Sequence, residues 1–296
     1  MLTAWPGANL DAEVAAVAGE IFGIPVSMGN YSFAKRVASI FPRPWGAADV
    51  SPVEREQLVW ESLVLHYEGF RRGIAVSEEE LDTTVDELLR DLGQSFRRRR
   101  DAEAYRRWVK ATLHEDVELF ETQMRYLVQI RKLKDQMFER QRVTVSEEEM
   151  QREFLNDQHH LGGELVVFST KAEAEVFYED VKQPSRWDAM KARGTPPVRT
   201  FSPMTLTAII DLWGVSREQA RRCHAMSLGS VGPPMPFGKQ WAVVRLLEKR
   251  TGDLRDFPKA RVRYLRKVER TKKYQALTQW IETLKQAAHP VTFVHP

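Results

Sequence analysis

The sequence predicts an α+β protein: a mainly helical module built from the N- and C-terminal segments, with a small α/β domain inserted between them. Three observations predict it. Apolar residues recur at three- and four-residue steps over most of 54–141. The pattern then changes to short apolar runs bounded by turn residues, at 165–168 and 240–247. A long helical pattern returns at Phe257–Ala288 and ends in a β-prone tail, Val291-Thr292-Phe293-Val294. The expected division is 1–160, 161–252 and 253–296.

Residues 14–35 combine β-prone pieces with turn residues, and Gly19, Gly23, Pro25 and Gly29 argue against a long helix there. Residues 42–52, opening on PRPWG, read as a loop. Glu54–Arg72 then sets Leu58, Trp60, Leu63, Val64, Tyr67 and Phe70 largely along one helical face. Two helix starts are spelled almost identically, Val76-Ser77-Glu78-Glu79-Glu80 and Val145-Ser146-Glu147-Glu148-Glu149. In each, a serine oxygen can accept a first-turn N–H while the glutamate three residues on accepts the serine N–H. Acidic residues there also suit the positive end of the helix dipole, so these carboxylates read as helix starts rather than catalytic groups. Between the two starts lie a helix to about Leu92, a basic break, a helix around 104–113 and a long helix over 116–141. The long helix carries Val117, Phe120, Met124, Leu127, Ile130, Leu133 and Met137 as a packing stripe. Trp60, Trp108, Phe120, Met124 and Tyr126 could line a cradle, but core is the default for them.

His159-His160-Leu161-Gly162-Gly163 reads as a linker, and Leu165–Phe168 as a buried strand. A helix is expected over 171–181, then a Pro- and Gly-containing region through Pro203, two short helices, and a punctuated loop, SLGSVGPPMPFGKQ. Gln240–Leu247 reads as a second core strand. Pro290 stops the last helix, and the tail beyond it has no local hairpin partner. Its expected partner is the N-terminal β-prone segment.

Composition excludes several classes. Hydrophobic residues are 43% and charged residues 29% of 296, which is enough apolar side chain for a core and too much for a disordered chain. No apolar run reaches membrane-spanning length. The single cysteine, Cys223, rules out an internal disulfide or a cysteine-based zinc site. The adjacent His159 and His160 point apart and have no Cys, Asp or Glu cluster at a matching interval, so no metal is expected. Cys223-His224 lacks a third orienting group and reads as a structural thiol. No Walker A loop, dinucleotide glycine fingerprint or Gly-x-Ser-x-Gly elbow occurs, and no cofactor is expected. The net charge of +3 is small. Arg97–Arg100 and the ten basic against four acidic residues of 253–296 leave nucleic-acid binding as an alternative class. Asp101 and Glu103 beside the arginine run argue for a solvated face instead, and no nucleic acid is expected.

The order of helices, inserted α/β unit, closing helix and strand resembles the SurA/PrsA/PpiD group of bacterial foldases, which join a helical chaperone module to a parvulin-type prolyl isomerase domain. The resemblance rests on GIAVSEEELDTTVDELLRDLG, FETQMRYLVQIRKLKDQMFERQRVTVSEEEMQREF, the early IPVSMGNYSFA and the closing KKYQALTQWIETLKQAAHPVTFV. It implies a chaperone or foldase that binds unfolded or immature client polypeptides, and a homodimer in members with an exposed helical arm. It also implies a periplasmic or cell-envelope location, although no signal peptide is visible: Glu13 and Glu20 interrupt the early apolar run and no basic residue precedes it.

Measured against that family, the isomerase part lacks its histidines. Parvulins open on a strand reading roughly His-Ile-Leu-Val, and Glu164-Leu165-Val166-Val167 stands here. They close on Gly-Tyr-His-Ile-Ile, and Trp241-Ala242-Val243-Val244 stands here. Leu228-Gly229-Ser230-Val231-Gly232-Pro233 keeps the character of the family's Gly-x-Val-Ser-x-Pro turn, whereas its Gly-Gly-Asp-Leu-Gly motif is not recognisable between 184 and 211. The resemblance therefore places a degenerate cleft at Glu164, Met226, Phe237, Trp241 and Ala242, with an isomerase activity that is weak or lost. An active isomerase is the alternative, and two facing imidazoles in that cleft would favour it.

Overall fold

The computed structural model describes residues 16–40 and 51–294. The loop expected at 42–52 lies outside them except for Ser51 and Pro52. The protein is α+β, with two small antiparallel sheets and many helices among the described residues. It divides into two compact units, Met1–Arg142 with Lys272–Pro296, and Val143–Thr271.

The first unit opens on strands β1 (Val17–Ile21) and β2 (Ile24–Ser27), joined through Phe22 and Gly23, both in the left-handed region. Helix α1 (Met28–Ile40) follows directly. The sequence pattern missed it because Gly29 falls in its first turn, where a glycine does not interrupt the hydrogen-bond ladder. Next come α2 (Pro52–Arg71), α3 (Glu78–Asp91), α4 (Ala102–Trp108) with a π-helical turn (Val109–Leu113), and α5 (Val117–Arg140). The capping box read at Ser77 forms: the Glu80 N–H donates to Ser77 Oγ at 3.2 Å and the Ser77 N–H to the Glu80 carboxylate at 2.8 Å. The stripe of α5 packs as core, with Phe120 and Leu133 fully buried and Met124 nearly so. Trp60 and Tyr126 are buried in the same core, and Trp108 packs against it edge-on to Phe120. All five thus belong to this core or pack against it, the default expected for them.

The arginine run is absorbed locally. Arg98 is largely buried and meets Glu121 at 2.6 Å, Glu78 at 3.1 Å and Asp82. Arg99 reaches Asp82 at 2.6 Å, and Arg100 reaches Asp101 at 3.1 Å.

The tail strand β7 (Val291–Thr292) pairs antiparallel with β1, Gly19 opposite Thr292 and Glu20 opposite Val291. The expectation that the chain's two ends meet in one sheet holds. The order is β2-β1-β7. Close approach demands a glycine at position 19, where a Cβ would lie 2.1 Å from the Val291 carbonyl oxygen.

The second unit begins with α6 (Glu147–Gln158), capped by Ser146 and Glu149 as the sequence indicates. Then follow β3 (His160–Phe168), α7 (Lys171–Val181), α8 (Pro184–Arg193), β4 (Arg199–Thr205), α9 (Leu206–Trp213), α10 (Arg217–Ala225), β5 (Met235–Phe237), β6 (Gln240–Arg250) and the first part of α11 (Phe257–Ala288). The sheet order is β4-β3-β6-β5. His160 is not in a linker: β6 runs on to Arg250 and pairs with it, which draws the chain into β3 five residues before the apolar run. Pro184 starts α8 rather than breaking structure, since a proline at the first helical position lacks only an N–H that would have no intrahelical partner.

One carboxylate ties α6, α9 and α11 within this unit. Asp157 accepts from Tyr264 Oη at 2.7 Å, Lys267 Nζ at 3.0 Å and the Thr207 hydroxyl. Beside it Phe154 packs edge-on against Phe257 and Tyr264.

Candidate functional site

The candidate site lies on the four-stranded sheet. Its centre is the β3–β6 pair, in register from Leu165 opposite Val244 to Phe168 opposite Trp241, with an irregularity between Gly162 and Gly163. A Cβ at 163 would sit 2.1 Å from the Arg245 carbonyl oxygen, so only glycine admits this approach. Side chains alternate across the sheet from there. Leu161, Leu165, Ala242, Val244 and Leu246 pack under α9 and α10. Val166, Val243 and Val231 pack with α7 and α8.

The five positions read from the sequence divide between these faces and do not line one cleft. Glu164 lies on the α7/α8 face and is 3% exposed. Trp187 Nε1 donates to its Oε2 at 2.9 Å, and the Lys191 ammonium takes its Oε1. Those two donors offset the desolvation of a carboxylate in the sheet interior. Trp241 shares that face, partly buried, with the Lys171 ammonium 5.7 Å from its ring centroid. The Asp188–Arg245 pair also links α8 to β6 there, and the hydrogen bond from Arg245 holds the Asp188 carboxyl below the ordinary range.

Ala242 is fully buried on the opposite face, where Met226 and Phe237 join it. The structure adds to that face Phe201, Met204, Trp213 and Met235, which sequence reasoning missed. Phe201, Trp213 and Phe237 form a chain of edge contacts, with centroids 5.1 Å and 5.3 Å apart and planes at 77° and 61°. Phe201 and Met204 come from β4, whose strand character Pro203 conceals. Phe237 and Met235 come from β5, a three-residue strand hidden in a proline-rich loop.

Two imidazoles do face each other in this unit. His159, the residue before β3, stacks on His224 of α10 with centroids 4.0 Å apart and planes at 22°. His159 Nδ1 accepts the Gly252 N–H at 3.0 Å, and His224 Nε2 is buried with no hydrogen-bond partner. Burial first, then the neighbouring histidines, lowers His159 to about 4. The pair lies at the far end of the sheet from Ala242: His160 pairs with Arg250 whereas Ala242 pairs with Val167. Seven residues of strand, about 23 Å, separate those rungs. Stacked rings aim their nitrogens sideways rather than at a common point, and among the described residues no group of three His, Cys, Asp or Glu could hold a metal. Cys223 is buried, and burial raises its thiol to about 11, so it is an unreactive core residue.

No family model matches the chain, and no curated protein matches it significantly. Solved structures with a similar arrangement include one from Campylobacter jejuni, described with PEB4 and Cj1289 as SurA-like chaperones. It is 10% identical, covers 94% of this chain and 100% of its own, and has a TM-score of 0.44. A peptidylprolyl isomerase, PrsA, from Bacillus anthracis is 12% identical over 81% of this chain and 100% of its own, with a TM-score of 0.42. PrsA from Bacillus cereus is 12% identical over 88% of each chain, with a TM-score of 0.34. No helix among the described residues is long and apolar enough to cross a membrane.

Proposed function

We propose that the chain is a chaperone of the foldase type, holding apolar segments of unfolded or immature polypeptides, and that its parvulin-like unit binds without appreciable isomerase turnover. The observation that carries this reading is the placement of positions 164 and 242. Prolyl isomerisation breaks no covalent bond; it crosses a torsional barrier of about 18–20 kcal/mol, which falls when polar groups are placed against the twisted amide. Alanine at 242 offers no polar side-chain atom, and the Glu164 carboxylate is committed to Trp187 and Lys191 on the other face. What the Ala242 face retains is aromatic and thioether surface, partly buried at Phe201, Met204, Met226 and Phe237. Methionine repacks at low cost and aromatic edges accept many apolar side chains, which suits varied clients. Sequence supports the reading through the resemblance of the helical segments to foldase chaperone modules.

Light scattering of a chemically unfolded client tests it. With no nucleotide present, an equimolar amount of the chain suppresses aggregation, and Phe237→Ala weakens client binding by about tenfold through one lost aromatic contact. Aggregation that proceeds unchanged at equimolar chain contradicts the chaperone reading.

A further inference from the structure

The prolines of this chain are distributed unequally over its strands. Central strands β1, β3 and β6 contain none. Edge strands β2, β4 and β5 contain Pro25, Pro203 and Pro236, and the two-residue edge β7 follows Pro290 directly.

Their positions are specific. In the first hairpin Ile21 and Ile24 close the two-residue turn, and Pro25 stands opposite Glu20, one step further from it. In the other, Phe237 and Gln240 close the turn, and Pro236 stands opposite Trp241, again one step further. The closing pair of such a hairpin exchanges both backbone hydrogen bonds, so the next pair points its N–H and C=O groups outward. Pro25 and Pro236 thus remove the donor that would face an incoming strand. Pro203 sits where two residues of β4, Ser202 and Pro203, oppose Gly162 of β3, a bulge that bends the edge away. Beyond β5, Gly232 N–H and Gly229 N–H donate to the Val244 and Leu246 carbonyls, and Pro233-Pro234 follow.

We propose that the sheet edges left unpaired among the described residues are closed to strand addition by these prolines, so that copies of the chain do not pair edge to edge and a client is gripped by its side chains, never as an added strand. An unprotected edge beside unfolded polypeptide is a template for aggregation, and missing donors at the edge remove the template. The client half of the inference rests on the chaperone reading; the self-association half does not.

Sedimentation velocity over a concentration series compares the full chain with a Pro25→Thr, Pro203→Thr, Pro236→Thr variant, with circular dichroism and thermal melting to establish folding. The variant is expected to self-associate more tightly than the parent, by about fivefold for each recovered backbone hydrogen bond. A folded variant that sediments as the parent does at every concentration overturns the proposal. Should the triple variant not fold, Pro25→Thr and Pro236→Thr singly decide it by the same readout. For the client, an apolar peptide and its alternately N-methylated form are titrated against the parent chain. Strand addition needs the peptide N–H groups and side-chain capture does not, so affinities within twofold are expected. A loss of tenfold or more on methylation overturns the proposal, as would a methylated peptide losing binding altogether. If neither peptide binds, the chaperone reading fails and the sedimentation result still judges the edges.

Discussion

Replacing Trp187 by alanine lowers the stability of the second unit by about 3–5 kcal/mol, the range for truncating a large buried aromatic. Trp187 is fully buried and meets Phe177 edge-on at 6.0 Å, so its removal opens a void between α8 and the sheet. The same change strips Glu164 of its indole donor and leaves the carboxylate to Lys191, a half-exposed partner. Trp187→Phe separates the two effects. It retains most of the packing and loses chiefly the hydrogen bond to the buried carboxylate, at about 1–3 kcal/mol. Urea unfolding of the three proteins, followed by tryptophan-independent circular dichroism, measures both differences. Equal stability of Trp187→Ala and the parent would show that α8 does not seal this face.

Acid weakens the first unit through His66. Burial lowers this imidazole to about 4, with a hydrogen bond involving Gln129 acting the other way, and its ring lies 4.3 Å from that of Tyr126. The unfolded chain binds this proton near 6.5, the folded chain only near 4. The contribution to stability is therefore complete above pH 6.5 and is lost progressively as pH falls towards 4, by about 3 kcal/mol in all. Carboxylates titrate over part of the same window, so the difference between parent and His66→Phe isolates the histidine. Denaturant midpoints from pH 7 to pH 4 should fall less steeply for His66→Phe. Parallel curves would show that His66 is not buried neutral.

The helices were legible where their signals are local. Ser77 with Glu80 and Ser146 with Glu149 announce α3 and α6, and both boxes form as written. The tail strand was legible from a lack: Val291-Thr292 had no neighbour with which to pair, and β1 was the free partner at the other end of the chain. What stayed hidden depends on pairing between distant strands. The face on which Glu164 or Ala242 falls is set by the β3–β6 register and the irregularity at Gly162–Gly163, and a one-residue shift exchanges every side chain between faces. Reading both as one cleft required a register that the sequence does not display. The His159–His224 stack is likewise unreadable, since it joins the end of one helix to the end of another 65 positions away. Strands β4 and β5 were masked by Pro203 and Pro236, residues that argue against a central strand and leave an edge strand open.

A proline-limited refolding reaction, run with the chain at one-hundredth of the refolding protein, most directly tests the claim that this scaffold grips without turning over. The expected result is a slow phase whose rate equals the uncatalysed one, while the same preparation still prevents a client from aggregating. A slow phase accelerated in proportion to the chain added would contradict it, and abolition of that acceleration by His159→Ala or His224→Ala would move the chemistry to the stacked imidazoles.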